Sequence, residues 1–395
     1  MKILFFESCK DGTVGGSHTC MFNLIRNLDR SKIQVTAGFY SDNIFTPRYR
    51  DLGVKVDILR LPKPLRDGNI ILRKALNWYN LEVKSSRHLE DYFRRESFDL
   101  VVLNNSICVS LVFARVCKRL GIPLVVYERG FGSFKRKHIE ATADIQATIS
   151  ISDAVHRHVM GQDFKTKIIE RIYDGIDPDD FRPRRSPAAI KAELAIPPEA
   201  RVLGIVGNVR PWKGQQYFVE AFRELSRKYG DVYGLIVGGW GADDQAFQSS
   251  LVETVRSAGL SRRLQFLGYR ADVPDLLSIF DVFVHASTKP EPFGMVLLEA
   301  IAGKKPIVAT NLGGPTEILE GGESGVLVPP KDGAALAAAC GRYLNDPAFA
   351  AKKIEHAHDR LFHRFHIRQT VKQTVNLFES IVRGTVPAGA VSCGA

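Results

Sequence analysis

The chain has 395 residues, of which 45% are hydrophobic and 25% charged, and its formal net charge is +11. This composition is typical of a globular protein and excludes a disordered, collagen-like or coiled-coil chain. Its apolar runs are no longer than a strand, far below the roughly 18 to 20 residues of a membrane span, and the run after Met1 is too short for a secretory signal. Six scattered cysteines without a CxxC pair indicate reduced thiols, so we expect a soluble cytoplasmic protein of two domains.

The first half alternates short apolar runs with amphipathic stretches, the pattern of β/α units around a parallel sheet. Its predicted strands lie near 2–6, 34–40, 54–61, 100–105, 123–127, 145–149 and 168–173. Its predicted helices lie near 16–29, 71–96, 107–120 and 152–160, the last capped by Ser152. This half is therefore predicted to form an α/β domain.

The segment Asp177–Pro187 interrupts this alternation with three prolines and six charged residues, a composition typical of a linker. The alternation then resumes, with predicted strands near 202–207, 233–238, 264–268, 282–286, 306–309 and 325–328 and helices near 215–229, 244–259, 294–303 and 333–344. A helical region follows at 346–383, and a frayed tail is predicted from Gly384 onward. Two such domains form a cleft, in which ligands bind outside the carboxyl ends of the strands.

A glycine-rich turn follows the first predicted strand. Residues 11–16 end in Gly15 and Gly16 and lead into a helix, so backbone N–H groups there are able to approach an anion. The spacing differs from the dinucleotide-binding G-x-G-x-x-G and from the Walker loop. From the residues alone, a tight turn without a ligand is therefore an equally good interpretation.

Loops after three strands of the second half carry residues that suit a nucleotide. Arg210 and Lys213 follow the first of these strands, and a cationic pair there suits a diphosphate, with an ordinary exposed loop as the alternative. The next strand ends at Gly239 in a glycine-rich turn that indicates close approach of the backbone to a ligand. Tyr269 and Arg270 follow the third strand, where backbone groups are placed to meet the edge of a base.

A predicted helix near 294–303 follows a loop that carries Glu291. Because the first N–H groups of a helix lack an intrahelical acceptor, its start is a predicted anion-binding site. These N–H groups belong to Phe293, Gly294, Met295 and Val296.

Glu299 is the unusual residue of this helix. Its neighbours in sequence are apolar, so the helix is predicted to be largely buried, and a buried carboxylate costs several kcal/mol unless it is paired. Ribose hydroxyls of a nucleotide satisfy such a carboxylate. A salt bridge to a basic neighbour is the alternative.

The pair Glu291-x7-Glu299, with Pro-Phe-Gly between the two, resembles the motif of the retaining GT-B glycosyltransferases of family 4. The likeness extends over most of the chain. It includes Gly15–Gly16, Tyr173–Asp177 with Phe181, Lys213–Gly214, Gly268, Asn311–Glu317 and Gly325–Pro329.

The resemblance implies an α/β protein of the GT-B fold, with two Rossmann-like β/α/β domains facing across a cleft. Residues 1–181 plus 362–395 would form the N-terminal, acceptor-side domain. Residues 188–361 would form the C-terminal domain that binds the nucleotide-sugar donor. A C-terminal helix, expected at 366–383, would cross back to the first domain.

By the same resemblance, the chain would move a sugar from a UDP- or GDP-sugar to an acceptor hydroxyl with retention, without a metal or other cofactor. Glu291, Arg210 and Lys213 would be the catalytic residues: Glu291 would contact the donor sugar, and the two cations would stabilise the leaving diphosphate. Glu299 would hold the ribose, and the glycine turns, the helix start and the backbone at 269–270 would bind the rest of the donor. The acceptor would be a sugar, a lipid-linked molecule or a small molecule, in polysaccharide, glycolipid or glycoside synthesis.

Three positions depart from the family pattern. Asn208 stands where the family commonly has Arg, so Arg210 would have to substitute. The N-terminal domain often supplies a His where this sequence has Glu128 and Arg129, which are the candidates for the acceptor side. Asp174 replaces the usual Asn. These departures leave open the alternative of a catalytically impaired GT-B protein that binds nucleotide sugars.

The charge and the motifs of the sequence also bear on other partners and other classes of protein. A basic chain favours an anionic partner, but no zinc-finger, RNP or basic-zipper pattern accompanies the charge, so we expect no nucleic-acid partner. Without G-x-G-x-x-G after a strand, a nicotinamide-dependent dehydrogenase is disfavoured.

Acceptor selection is assigned to loops 41–52, 62–70 and 129–138. The last has basic residues around Phe131 and Phe134, which suit a lipid pyrophosphate and peripheral membrane contact, and an ordinary basic loop is the alternative.

Overall fold

A computed structural model of the chain describes residues 1–8, 15–62, 69–70, 72, 76–77, 79–109, 111–385 and 391–392. The start of the glycine-rich turn, most of the predicted loop 62–70 and most of the tail lie outside the described residues. The chain divides into two compact units, of which the first comprises Met1–Gly175 and Ile367–Ala395 and the second comprises Ile176–His366.

The first unit is built on one sheet. Its strands are β1 (Lys2–Glu7), β2 (Gln34–Phe39), β3 (Lys55–Ile58), β4 (Leu100–Leu103), β5 (Leu124–Glu128), β6 (Ala147–Ser150), β7 (Ile168–Arg171) and β14 (Val391–Ser392). Their order is β14-β7-β6-β5-β4-β1-β2-β3, and every pairing is parallel except that of β14 with β7. The prediction of a frayed tail was therefore wrong at Val391 and Ser392, which pair with Ile169 and Ile168 of β7.

Helices cover the faces of this sheet, which is why central strands such as β4 are apolar and buried along their whole length. They are α1 (Gly16–Arg26), α2 (Thr46–Asp51), α3 (Ser85–Glu96), α4 (Leu111–Leu120), α5 (Arg136–Ala141), α6 (Asp153–Met160) and α15 (Ile367–Arg383). The predicted cap of α6 is confirmed, since the Val155 N–H donates to Ser152 Oγ at 3.0 Å. A π-helical turn, Tyr79–Lys84, precedes α3 within the predicted helix 71–96.

The second unit has an all-parallel sheet. Its strands are β8 (Arg201–Val206), β9 (Val232–Val237), β10 (Leu264–Gly268), β11 (Val282–His285), β12 (Ile307–Thr310) and β13 (Val326–Val328), in the order β10-β9-β8-β11-β12-β13. Its helices are α7 (Pro187–Glu193), α8 (Gln215–Lys228), α9 (Gln245–Ser257), α10 (Val273–Ser278), α11 (Met295–Ala302), α12 (Gly314–Ile318), α13 (Gly333–Asn345) and α14 (Pro347–Arg360). The strand order reverses at β8 and β11, and ligands of such sheets bind at the carboxyl ends of the strands beside a reversal.

The unit boundaries differ from the predicted ones because the proline-rich segment packs onto the second unit. The backbone N–H groups of Arg184 and Arg185 donate to Asp275 Oδ1 at 2.6 and 3.1 Å. The chain therefore passes between units at 175/176, before this segment, and at 366/367, where 181/188 and 361/362 were predicted. As predicted, the last helix belongs to the first unit, where Thr370 Oγ1 donates to the Tyr173 carbonyl at 2.8 Å. In the described ranges, no helix combines the length and the apolar character needed to cross a bilayer.

Candidate functional site

In the second unit, the loops after β8 and β11 meet at an ion pair. Lys213 Nζ lies 2.7 Å from Glu291 Oε2, and the two side chains are only 19% and 12% exposed. Gly214 makes this approach possible: its φ is +76°, and a Cβ atom there would lie 1.8 Å from the carbonyl oxygen of Ala286. A side chain at 214 would force the two loops apart.

Three donors converge on one carboxylate oxygen of Glu291. Besides Lys213, Ser287 Oγ donates to Oε2 at 3.1 Å, and His285 Nε2 lies 3.4 Å from the same atom. Burial opposes ionisation, but the hydrogen bond from His285 and the charge of Lys213 outweigh it, so the pKa of Glu291 is lowered to about 2. Glu291 is therefore an ionised carboxylate at neutral pH.

Glycines in the loop after β12 hold the backbone around Glu291. The Gly314 N–H donates to the Glu291 carbonyl at 2.8 Å, and Gly313 forms a bridge with Glu291. A Cβ atom on Gly314 would lie 2.1 Å from the carbonyl oxygen of Phe293. The glycines of the segment 311–317 thus fix the position of the Glu291 loop by close backbone contact.

Helix α11 begins at Met295, one residue after the predicted start. Gly294 precedes it with φ +111°, and the Leu297 N–H donates to the Gly294 carbonyl at 2.9 Å. The N–H groups of Gly294, Met295 and Val296 have no acceptor within the described part of the chain. Phe293 is buried with its ring 5.9 Å from that of Phe365, which anchors this helix start.

Glu299 lies inside α11 and is partly buried. Burial raises the pKa of its carboxyl to about 7. Over the described residues, the carboxyl has neither a hydrogen-bond partner nor an ion-pair partner. The alternative of a salt bridge to a basic neighbour is therefore not found among them.

Arg210 lies after β8 as predicted, but it has a partner of its own. Its Nε is 3.3 Å from Asp244 Oδ2, and the Arg210 side chain is 45% exposed. Asn208, at the position where the resemblance implies Arg, is exposed, and its carbonyl accepts from Gln215 Nε2 at 3.0 Å. The cation that contacts Glu291 is thus Lys213.

Tyr269 and Gly239 lie beside each other at the ends of β10 and β9. Tyr269 is 72% exposed, and a Cβ atom on Gly239 would lie 3.6 Å from the Tyr269 Cβ. The Arg270 guanidinium pairs with Asp272 at 2.6 Å and Glu193 at 2.9 Å. Its side chain is therefore committed to this ion-pair cluster, and the backbone is what remains for the predicted contact with a base.

In the first unit, Gly15 and Gly16 stand at the start of α1, after β1. Among the described residues, a Cβ atom on either glycine would meet nothing within 4 Å. Asn104, after β4, holds the turn in place because its Nδ2 donates to the Ser17 carbonyl at 2.9 Å and to Glu7 Oε2 at 2.7 Å.

Arg129 and Asp174 form a buried ion pair in the first unit. Their side chains are 7% and 6% exposed, and Arg129 Nη1 donates to Asp174 Oδ2. Arg129 also donates from Nε to the Asn104 carbonyl at 2.8 Å and from Nη2 to Asn104 Oδ1 at 3.0 Å. Arg129 and Asp174, which stand at two of the three positions that depart from the family pattern, are thus partners of each other.

Glu128 ends β5 with its carboxyl buried. Oε1 accepts from Ser106 Oγ at 3.1 Å and from the Ile107 N–H at 3.0 Å, whereas buried Oε2 has no partner in the described residues. Burial raises the pKa of Glu128 to about 7. Glu128 is therefore near its midpoint of ionisation at neutral pH.

This raised pKa predicts a pH dependence of stability. The folded chain holds the Glu128 proton more tightly than the unfolded chain does. The free energy of unfolding is therefore highest below pH 4.5, the ordinary pKa of the group, and it falls as the pH rises to 7 and beyond. At about 1.4 kcal/mol per pKa unit, the free energy of unfolding lost at pH 8 is about 3 kcal/mol. Glu128→Gln removes this loss because glutamine does not ionise. We expect the variant to unfold several degrees above the wild type at pH 8 and at the same temperature at pH 4 in thermal scans. Exposed Glu140→Gln is the control, and a Glu128→Gln profile parallel to the wild type would contradict the assignment.

Sequence reasoning gave no role to four residues of these clusters. His285 and Ser287 hold Glu291, Asn104 holds the glycine turn, and Glu7 accepts from Asn104. The available signal was position: each lies at or just after the carboxyl end of a strand. Among the described residues, no group of three or more His, Cys, Asp or Glu side chains forms a metal site, and transfer without a metal stays a prediction.

Comparison with known families and proteins gives one match on each unit. The model of glycosyl transferases group 1 matches residues 187–360, and that of glycosyltransferase family 4 matches residues 14–180.

Among curated proteins, the chain is similar to the lipopolysaccharide core biosynthesis mannosyltransferase LpsB of Rhizobium meliloti (strain 1021). The two are 31% identical over 54% of this chain and 61% of the relative. The chain is 25% identical to the N-acetyl-alpha-D-glucosaminyl L-malate synthase of Bacillus anthracis, over 77% of this chain and 80% of the relative. For LpsB and two other relatives, the match spans only about half to three fifths of the relative's length.

Among solved structures, Anabaena Alr3699/HepE in complex with UDP superposes with a TM-score of 0.82 at 24% identity, covering 96% of this chain and all of that one. Sucrose-phosphate synthase from Thermosynechococcus elongatus gives a TM-score of 0.77 at 20% identity, covering 97% of this chain and all of that one. These likenesses confirm the predicted fold of two Rossmann-like domains. One glycosyltransferase family model thus matches each unit, and the fold is that of the GT-B glycosyltransferases.

Proposed function

We propose that the chain is a retaining glycosyltransferase that moves a sugar from a nucleoside diphosphate sugar to an acceptor hydroxyl. The observation that carries the proposal is the arrangement of Glu291. All three of its protein donors bind Oε2, and Oε1 has no partner in the described residues. A carboxylate held in this way presents one oxygen to the hydroxyls of a bound sugar.

The donor diphosphate is assigned to the cations after β8. Lys213 uses one N–H on Glu291 and keeps two for phosphate oxygens. Arg210, which is half-exposed, would contribute its guanidinium when the nucleotide competes with Asp244. Together they stabilise the charge that develops on the leaving nucleoside diphosphate, with no step that needs a metal ion. Full activity in the presence of a chelator is the expected result.

The start of α11 and Glu299 are assigned to the rest of the donor. The N–H groups of Gly294, Met295 and Val296 donate to phosphate or sugar oxygens, since a helix start favours anions. Glu299 accepts from the ribose hydroxyls, which explains a partly buried carboxyl without a protein partner. Tyr269 and the backbone beside it are assigned to the base.

The donor nucleotide is assigned from the similar proteins. Structures of Anabaena Alr3699/HepE contain UDP and UDP-glucose, so a UDP-sugar is the first donor to test and a GDP-sugar the second. Retention is inferred from the resemblance to family 4, and NMR of the anomeric proton of the first-formed product tests it. The acceptor is assigned to the first unit, at Glu128, Arg129 and the loop after them.

Donor binding is tested at Glu299. Glu299→Ala is expected to weaken the affinity for UDP or its sugars about 10²-fold, because hydrogen bonds to a charged group contribute about 1.5–3 kcal/mol each. Calorimetric titration with UDP, GDP and ADP measures the effect. Glu253→Ala, an exposed glutamate of α9, is the control. Unchanged affinity for every nucleotide in Glu299→Ala rejects the ribose assignment.

Release of the nucleoside diphosphate separates an enzyme from a binding protein. The proposed function predicts release of UDP or GDP from the sugar nucleotide when acceptors are added. A protein that binds the nucleotide sugar with wild-type affinity and releases nothing with any acceptor is the catalytically impaired alternative, to which Asn208 and the absent His point.

A further inference from the structure

His285 is the last residue of β11, and it is 4% exposed. A buried imidazole at the end of an apolar strand costs free energy unless its polar atoms are used. Its Nε2 lies 3.4 Å from Glu291 Oε2 and 3.3 Å from Ser287 Oγ. We propose that His285 is a positioning residue, which with Ser287 and Lys213 fixes the carboxylate oxygen that Glu291 turns to the donor sugar. This inference rests on the proposed function.

The contacts of the Glu291 carboxylate are unequal at its two oxygens. Lys213, Ser287 and His285 all address Oε2. Oε1 has no partner among the described residues. It is also not fully buried, so it remains accessible to a ligand. Without the donors on Oε2, the plane of the carboxylate would be free to rotate about the last side-chain bond, and Oε1 would leave its position. The three donors together therefore select one orientation.

The other ring nitrogen of His285 indicates how the imidazole acts. Nδ1 is buried and has no partner within the described ranges. Because Nε2 faces a carboxylate oxygen, which only accepts, Nε2 carries a proton and donates it to Glu291. His285 thus serves as a fixed donor on Nε2. A glutamine amide nitrogen occupies nearly the place of Nε2 and supplies the same N–H donor.

His285 is distinguished from Lys213 by its lack of contact with the proposed donor. Lys213 is partly exposed and has N–H groups left for phosphate, whereas the buried His285 ring acts only through Glu291. A displacement of about 1 Å in a group that contacts the substrate reduces the rate about 10²-fold. Loss of His285 is therefore expected to lower kcat with little change in donor affinity.

The test compares His285→Leu, His285→Gln and Val284→Ala. Val284 is the buried neighbour on the same strand, so its variant weakens β11 without touching Glu291. We expect His285→Leu to lower kcat about 10- to 100-fold with the KM for the donor changed less than threefold, and His285→Gln to recover most of the loss. Val284→Ala is expected to lower the unfolding temperature and keep kcat. Wild-type turnover in His285→Leu, or no rescue by His285→Gln, overturns the proposal.

A second measurement does not depend on activity. Crystal structures of the wild type and of His285→Leu are expected to show one carboxylate orientation of Glu291 in the wild type and a rotated or split carboxylate in the variant. An identical carboxylate in both overturns the role of His285. Absence of glycosyl transfer by the wild type would instead reject the proposed function, while the two crystal structures would still decide how Glu291 is held.

Discussion

Glu291→Gln is expected to lower kcat for glycosyl transfer about 10²- to 10³-fold, with a much smaller loss of donor affinity. Glycosyl transfer passes through a transition state with positive charge on the sugar ring, and the proposed function places the ionised carboxylate beside that ring. Because the pKa of Glu291 is lowered to about 2, its charge is present throughout the range above pH 4. Glutamine keeps the shape and removes the charge. Initial rates and calorimetric affinities for the donor measure the two effects separately.

The control for this variant is Glu320→Gln. Glu320 belongs to the same unit, but its carboxylate pairs with His356 and Arg360 and not with the residues around Glu291. It is expected to keep wild-type kcat. Equal losses of kcat and donor affinity in Glu291→Gln would argue against a role in turnover, because an interaction made equally in ground and transition states changes KM alone.

Arg129→Met is expected to destabilise the first unit by about 3–5 kcal/mol, because it leaves the Asp174 carboxylate buried without its counter-charge. The guanidinium also makes three hydrogen bonds to Asn104, two from Nε and one from Nη2, and all three would lose their donor. For a unit of this size, the loss corresponds to a fall of about 10 °C in unfolding temperature. Differential scanning fluorimetry of the full chain measures it.

Replacing both partners is the decisive comparison. Arg129→Met combined with Asp174→Leu removes both charges, so it is expected to be more stable than Arg129→Met alone. Arg182→Met removes the exposed pair of Arg182 with Asp179, whose side chains are 77% and 73% exposed, and is expected to leave the unfolding temperature unchanged. If Arg129→Met behaves like Arg182→Met, the buried pair does not stabilise the unit.

The order of strands and helices was readable from the sequence because apolar periodicity is a local property. Thirteen predicted strands appear within about three residues of their predicted bounds, and the anomalous helix with Glu299 begins one residue after its predicted start. The unit boundary was not readable in the same way. The segment 177–187 has the composition of a linker, yet Asp275, some ninety residues later, binds the N–H groups of Arg184 and Arg185.

The individual residues of the site were more predictable than their partners. Lys213 and Glu291 were each expected at a strand end, but their direct contact depends on Gly214 approaching the Ala286 carbonyl, which a single sequence does not reveal. Likewise, Arg129 and Asp174 were recognised only as separate departures from a family pattern. Their pairing is a property of the folded sheet, since 45 residues separate them along the chain.

The two chain crossings make the second unit an insertion whose ends adjoin. Ile176 pairs with His366 in a parallel bridge, and its N–H donates to the Phe365 carbonyl at 3.1 Å. On the first unit, a Cβ atom on Gly175 would lie 2.9 Å from the Ile367 Cα. Residues 176–366 are thus suited to expression as an independent module, to circular permutation, or to exchange between related scaffolds, since neighbouring ends are what such grafts require.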